Sequence, residues 1–435
     1  NQALAKYDAA ACANLQQNWI VPQLHYPTPS SPMTSWFAND SCNPFTPPDA
    51  MCDNRAFTQY AVRAANYHDY RATFAFATKW NIRLVIRNTG HDYFGKSTGA
   101  GSLALWTHSL TETSVIQNFD SFKYRGPALK IGAGVQISQA YSDANAAGLA
   151  VAGGACDTVG MAGGFTQGGG LGPLSSYAGL SADQVLEWEV VTADGQHITA
   201  TPYRHQDLYW ALSGGGGGTY AAVFSVTVKA YPTMKVAGAT LGFSNQGIPE
   251  SAFASVIETF LASLPKFTSK KAVCTFFIIG GNFQLVPAFA PGSTVDDLNS
   301  LLEPTISALK ANGIQYGKSH SFRVLWSSLW VIYANDCHGL DLHVNQFDSF
   351  KAGFDGLVPD INITAANMGG RLIPKSLLES EGGAKTLYQV FQDIFAAGAI
   401  VSGVVSDQSK FFVNDGHNAV NPALRKSIMN VVFGM

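Results

Sequence analysis

Apolar and polar positions run through the chain in two rhythms, and each rhythm predicts its own elements. "TQYAVRAA", from Thr58, and "IRLVIRN", from Ile82, read as strands. Between them "YHDYRATFAFATKWN", from Tyr67, has the three- and four-residue spacing of an amphipathic helix. The alternation continues with a strand in "ALKIGAG", a helix in "VQISQAYSDANAAG" and a strand in "LAVAGG", over residues 128–154. "QVLEWEVVTADGQHITAT" reads as a hairpin turning at Asp194-Gly195. "DLYWALSGGGGGTYAAVFSVTVKAYP" reads as a helix, a glycine run and a strand that stops at Pro232. Beyond it, "FASVIETFLASLP" and "TVDDLNSLLEPTISALKANG" have helical spacing, and "KKAVCTFFIIGGNFQLVPAF" reads as two strands. The fold class is therefore α+β. A loop-rich, proline-dense arm is expected over residues 1–53, a first domain over 54–232 and a second over 233–435.

Composition adds size and compartment. The 435 residues are 46% hydrophobic and 13% charged, with 43 glycines, enough for a large core and two domains. A net charge of −3 without a long basic run argues against nucleic acid and anionic membranes as partners. No apolar stretch reaches the roughly 18–20 residues of a membrane-spanning helix. The opening "NQALAKYDAAACANL" has no apolar signal region, so a signal peptide has been removed or never existed. Cys42 and Cys52 close a short proline-rich loop, where a disulfide is the economical reading. Asn39 in "NDS" and Asn362 in "NIT" are glycosylation acceptors. Together these features favour a secreted glycoprotein.

Three glycine clusters, at 90–101, 153–172 and 214–218, ask for a ligand. In "RNTGHDYFGKSTGAG", His91 leaves a buried strand into a loop whose glycines let backbone approach a ligand closely. "GGACDTVGMAGGFTQGGGLGPLSSYAGLSADQV" offers many backbone amides with little side-chain bulk, which suits a pyrophosphate. There is no GxxxxGK[ST], which excludes a P-loop, and "GGGLGP" lacks the strand-to-helix setting of a Rossmann site. One such cluster would be read as permitting tight chain crossings, whereas three favour a dinucleotide. Cys156 sits alone inside the second cluster. A lone cysteine is ordinarily a buried, inert thiol, and the ligand loop is what singles this one out.

"RNTGHDYFGKSTGAG", "GGACDTVGMAGGFTQGGG" and "ADQVLEWEVVTADG", in this order, resemble the flavin-binding half of the vanillyl-alcohol-oxidase superfamily. The similarity is closest to its berberine-bridge-enzyme-like branch, and there to fungal isoamyl-alcohol-oxidase-like flavoproteins. The resemblance implies a PCMH-type FAD-binding domain followed by a substrate domain with an antiparallel sheet covered by helices. It implies FAD bonded through its 8α-methyl to His91 and through C6 to Cys156, so that the protein orients the cofactor and tunes its electronics. Arg87, Asn88, Thr89 and Gly90 would give backbone amides to the pyrophosphate. Gly160, Gly163, Gly164, Gly169, Gly170, Asp183 and Val185 complete the expected cofactor set. Val159, three residues after the cysteine, corresponds to the position that gates oxygen, with valine typical of oxidases. The expected partners are a small-molecule substrate and oxygen, with hydrogen peroxide as product.

The chain also departs from the family pattern. Leu171 follows the triple glycine where many relatives have a histidine. The closing "NPALRKSIMNVVFGM" carries no return segment with the family's tyrosine and asparagine, which leaves room for a second fragment holding that motif. With Cys156 on the flavin, an odd number of cysteines remains. Asp92 and Tyr93 adjoin His91 and are candidates for the chemistry, weighed against a role in shaping the loop. Arg371 is weighed between the substrate side and a structural ion pair. His338 and His343 in "CHGLDLH" lack a third ligand and give no metal site. The aromatic run Phe322, Trp326, Trp330 and Tyr333 reads as core packing before substrate wall. The leading functional reading is a secreted FAD-dependent oxidase of alcohols or sugars. Its rivals are an oxidative cyclisation or tailoring enzyme and a flavin-bearing protein without catalysis.

Overall fold

The structure, a computed structural model, describes residues 7–47, 50–314, 316, 342–363, 368–411 and 418–434. Phe322, Trp326, Trp330, Tyr333, Cys337 and His338 lie outside the described residues. In the first half, β1 (Tyr60–Arg63), β2 (Leu84–Arg87) and β3 (Leu103–Trp106) form a parallel sheet in the order β1-β3-β2. The helix Tyr67–Lys79 makes the crossover. Asn66 and Asp69 close a capping box at its start, and it buries Tyr70, Thr73, Phe74 and Ala77, which share one face at helical spacing.

Beside it stands an antiparallel sheet of β4 (Thr113–Asp120), β5 (Arg125–Gly132), β6 (Leu149–Val151), β7 (Val185–Val191), β8 (His197–Ala200) and β9 (Ala222–Pro232). Strand β9 is its hub and pairs with β5, β6 and β7. The expected hairpin at Asp194-Gly195 is the β7–β8 pair.

The second half is built on a seven-stranded antiparallel sheet. Its strands are β10 (Val236–Ser244), β11 (Val273–Ile279), β12 (Asn282–Pro291), β13 (Leu342–Phe347), β14 (Met368–Pro374), β15 (Ile400–Val405) and β16 (Ser427–Gly434). They run in the order β13-β10-β12-β11-β15-β16-β14. Helices Glu250–Ser269, Val295–Ala311 and Gly383–Ala396 cover one face. The core between them holds Phe260, Phe267, Phe276 and Phe283, all fully buried. The spacing ended the first of these helices at Pro265, yet it continues to Ser269. Proline removes one intrahelical hydrogen bond there. Burial of Leu264 and Phe267, one on either side of it, outweighs that loss.

The chain then comes back to the first half. The Asp407 amide donates to Ser176 Oγ at 3.0 Å, and the Ala419 amide donates to the Ser213 carbonyl at 2.9 Å. In the arm, Cys42 and Cys52 form the expected disulfide. Cys12, Cys156 and Cys274 are free thiols. No helix among the described residues is long and apolar enough to cross a membrane.

Candidate functional site

Strand β2 ends at Arg87, and the chain turns at Gly90, whose φ of +93° suits glycine. That turn delivers His91 to Thr158: His91 Nε2 lies 2.8 Å from Thr158 Oγ1. Cys156 Sγ is 3.5 Å from the same hydroxyl. One buried threonine, 4% exposed, thus bridges the two residues expected to hold the cofactor. Burial pushes the His91 ring down to about 4, with the positive fields of His25 and Arg87 adding to it. The imidazole is therefore neutral at neutral pH. Burial likewise pushes the Cys156 thiol up, and its hydrogen bond to Thr158 works against that.

The surrounding backbone is open where a cofactor needs it. A Cβ at Gly164 or Gly216 would meet no heavy atom within 4 Å, and one at Gly163 would meet only Asn88. Elsewhere the glycines allow crossings, because a Cβ at Gly160 would lie 2.0 Å from Asn88 Nδ2 and one at Gly217 would lie 2.7 Å from Gly164 Cα. Lys96 ties the first cluster to the third, donating to the Gly217 carbonyl at 2.7 Å and to Thr219 Oγ1 at 2.8 Å.

Buried polar atoms without a hydrogen-bond partner among the described residues collect here: Arg87 Nε and Nη1, Asn88 Oδ1 and Gln167 Oε1. Arg87 is fully buried, and its Nη2 donates to the Thr28 carbonyl at 2.9 Å, which pins the arm over the site. Orphaned polar groups are costly in a folded interior and call for a ligand. Open glycine backbone beside unpartnered donors and acceptors fits FAD. Arg87, Asn88, Thr89, Gly90, Gly160, Gly163 and Gly164 could hold it, with His91 and Cys156 close by.

A cavity of about 400 Å³ adjoins this edge. Ala155, Leu171, Gly172 and Pro173 of the second cluster form one wall. The opposite wall is the free face of the seven-stranded sheet. Side chains alternate along β11, so Val273, Thr275, Phe277 and Ile279 face the cavity while Cys274, Phe276 and Ile278 enter the helix-covered core. Ser402 of β15 pairs with Phe277, and Gln284 of β12 pairs with it from the other side. Thr275, Gln284 and Ser402 are the polar side chains among an otherwise apolar described lining, which contains no charged group.

Several expected residues also make structural contacts. Asp92 and Tyr93 do not line the cavity. The Asp92 carboxylate accepts the amides of Phe94, Lys96 and Ser97 and the Ser97 hydroxyl, a loop-shaping geometry. Tyr93 is exposed. The Gly169 and Gly170 carbonyls accept the amides of Ala182 and Ser181, each at 2.9 Å. The Val185 side chain is in the core, and its carbonyl accepts the Tyr209 hydroxyl at 2.7 Å. Asp183 forms a bidentate pair with Arg425 at 2.6 and 2.5 Å, and also accepts from Asn418 and the Leu180 amide. Val159 packs half-buried beside Cys156, whose carbonyl accepts its amide at 3.3 Å. Arg371 is exposed on the edge strand β14, with no ion pair found among the described residues. No cluster of three metal-ligating side chains occurs among the described residues. Sequence reasoning missed Thr158, which carries no motif signal of its own beyond lying two residues from Cys156. It also missed Arg425, whose partner is 242 residues away.

Buried Thr158 meets His91 and Cys156, both partly buried, beside open glycines, and the neighbouring Ala155 lines an apolar cavity, an arrangement suited to a flavin-dependent oxidoreductase. The FAD-binding-domain family matches residues 58–201. An FAD-linked oxidoreductase of Hypocrea jecorina is 39% identical over 429 residues, covering 99% of this chain and 70% of that protein. A bifunctional decalin synthase of Penicillium decumbens is 38% identical over 317 residues, covering 73% of this chain and 55% of that protein. The crystal structure of a VAO-type flavoprotein from Myceliophthora thermophila C1 matches with a TM-score of 0.87 at 33% identity, covering 99% of this chain and 75% of that one. The chain belongs to the VAO-type family of FAD-dependent oxidoreductases. Membership in that family makes the chain an enzyme, against the reading as a flavin-bearing protein without catalysis.

Proposed function

We propose that this chain is a secreted oxidase in which FAD is bonded to both His91 and Cys156, and that it oxidises a neutral, largely apolar alcohol. The observation that carries the reading is the cavity. Its wall contains Ala155, the neighbour of Cys156, so a molecule inside lies against the cofactor edge. A sugar needs many hydrogen-bond partners when desolvated, and three polar side chains do not meet that need. Thr275, Gln284 and Ser402 suit one or two hydroxyl or carbonyl groups on a mainly apolar frame. When bound, the flavin supplies two-electron oxidation and returns the electrons to oxygen as hydrogen peroxide. The chain's part is to exclude water with the Val273–Ile279 face, to orient the substrate through the three polar side chains, and to keep space for oxygen beside Val159. The Cys42–Cys52 disulfide supports an oxidising compartment. The tailoring reading stands second, favoured by the same apolar cavity and by the relative named as a decalin synthase.

The test combines two measurements. Protein denatured in acid should keep its yellow colour, with flavin mass on the peptides of His91 and Cys156. Anaerobic mixing with a panel of alcohols should bleach the flavin with neutral apolar alcohols and not with their carboxylated analogues. Flavin released wholly into the supernatant sinks the covalent reading. Reduction by sugars or carboxylates alone sinks the substrate reading.

A further inference from the structure

The one hydroxyl shared by His91 and Cys156 has a use beyond packing. Thr158 Oγ1 can accept one hydrogen bond while donating another. It is buried, and among the described residues it is the only hydrogen-bond partner of the His91 ring. A neutral imidazole carries hydrogen on one nitrogen and a lone pair on the other. With hydrogen on Nε2, the ring donates to Thr158 Oγ1, and Nδ1 keeps its lone pair. The Thr158 hydroxyl hydrogen is then free to point at Cys156 Sγ, 3.5 Å away. The opposite orientation, with Thr158 donating to Nε2, leaves hydrogen on Nδ1 and no nucleophilic nitrogen facing away from Thr158.

We infer that Thr158 is the positioning residue for both flavin attachments: it holds His91 in the tautomer that bonds through Nδ1, and it donates to the Cys156 sulfur as that sulfur becomes a thiolate. The inference rests on the covalent reading above. Each attachment balances in the same way. One bond forms, from Nδ1 to the 8α carbon or from Sγ to C6. The protein group loses one hydrogen, from Nε2 or the thiol, and the flavin carbon loses one. The two hydrogens and two electrons leave to molecular oxygen as hydrogen peroxide. Thr158 accepts the Nε2–H hydrogen bond and so holds the ring with Nδ1 free to bond, until the Nε2 hydrogen is lost. It offsets the rise in the thiol's proton affinity that burial imposes on Cys156.

A flavin bonded at both points cross-links the peptide containing His91 to the peptide containing Cys156, which mass spectrometry reads directly. Thr158→Val keeps the shape and removes the hydroxyl, while Thr158→Ser restores it. Wild type, T158V and T158S are loaded with FAD in air, and the cross-linked fraction is followed over time. The expected result is formation roughly ten- to hundredfold slower in T158V, the effect of losing one or two hydrogen bonds to the reacting groups, with T158S near wild type. Non-covalent FAD retention is measured in parallel by thermal melting, and if T158V fails to fold, T158A replaces it. Cross-linking in the valine variant at the wild-type rate overturns the inference while leaving the covalent reading intact. A wild-type bond at Nε2, seen in a structure of the loaded protein, also overturns it. Absence of any flavin peptide in wild type removes both readings, so the two failures are told apart.

Discussion

Removing the Arg425 guanidinium should destabilise the whole protein, because it strands a carboxylate. Arg425 and Asp183 have side chains only 6% and 8% exposed and meet through two short hydrogen bonds. Arg425→Met keeps most of the side-chain volume and leaves Asp183 with the Asn418 amide and the Leu180 amide. Breaking a buried pair from one side costs about 3–5 kcal/mol. At about 2.1 cal/mol/K per residue, unfolding a chain of 435 residues carries an entropy of about 0.9 kcal/mol/K, so the melting temperature should fall by about 3–6 °C. Scanning calorimetry reads this directly. Adding Asp183→Asn removes the stranded charge and keeps an acceptor for the Leu180 amide, so the double variant should recover at least half of the loss. Activity should fall as well, since β16 begins two residues after Arg425 and its Val432 and Gly434 line the cavity. A shift under about 1 °C in the single variant, or losses that simply add in the double, would refute the reasoning.

Val159→Leu adds a methylene beside Cys156. Stopped-flow should show slower reoxidation of the reduced flavin by oxygen with anaerobic reduction nearly unchanged, and equal reoxidation in the two proteins places the gate elsewhere. Lys375 and Asp407 pair at 2.7 Å where β15 meets the first half, and a pH series tests them. Burial pushes the Asp407 carboxyl up, but its bonds to Lys375 and Ser409 outweigh that and hold it below the usual range. A depressed carboxyl stabilises above the unfolded value near about 4 and loses that contribution as pH falls through the lower folded value. Lys375→Met should therefore destabilise more at pH 7 than at pH 3 in thermal melts, and an equal loss at both pH values contradicts the assignment.

The local features were legible because local chemistry dictates them. The glycine-rich loop that carries His91 off the end of a strand was legible, and the short loop between Cys42 and Cys52 signalled their bond. The β7–β8 hairpin followed from Asp194-Gly195. What stayed hidden depends on contacts distant in sequence. The ion pair of Asp183 was hidden because its partner, Arg425, comes from a segment whose own pattern gave no element. Strands β14 to β16 were unread because nothing local shows that Ser402 of β15 faces a cavity while Val401 enters a core. Thr158 was invisible for a different reason: a threonine in a loop is ordinary until a histidine 67 residues away arrives at its hydroxyl.

The alternation of β11 separates two kinds of inheritance within one strand. Cys274, Phe276 and Ile278 are held in place by the aromatic core, where even one methylene matters. Val273, Thr275, Phe277 and Ile279 answer only to what fills the cavity. Neighbouring residues on a single segment can thus drift at different rates, one set fixed by folding and the other free to follow a new substrate. β15 repeats the division, with Val401 and Val405 in the core and Ile400, Ser402 and Val404 on the cavity. A scaffold divided in this way can be retuned by exchanging side chains on one face without renegotiating the fold beneath them.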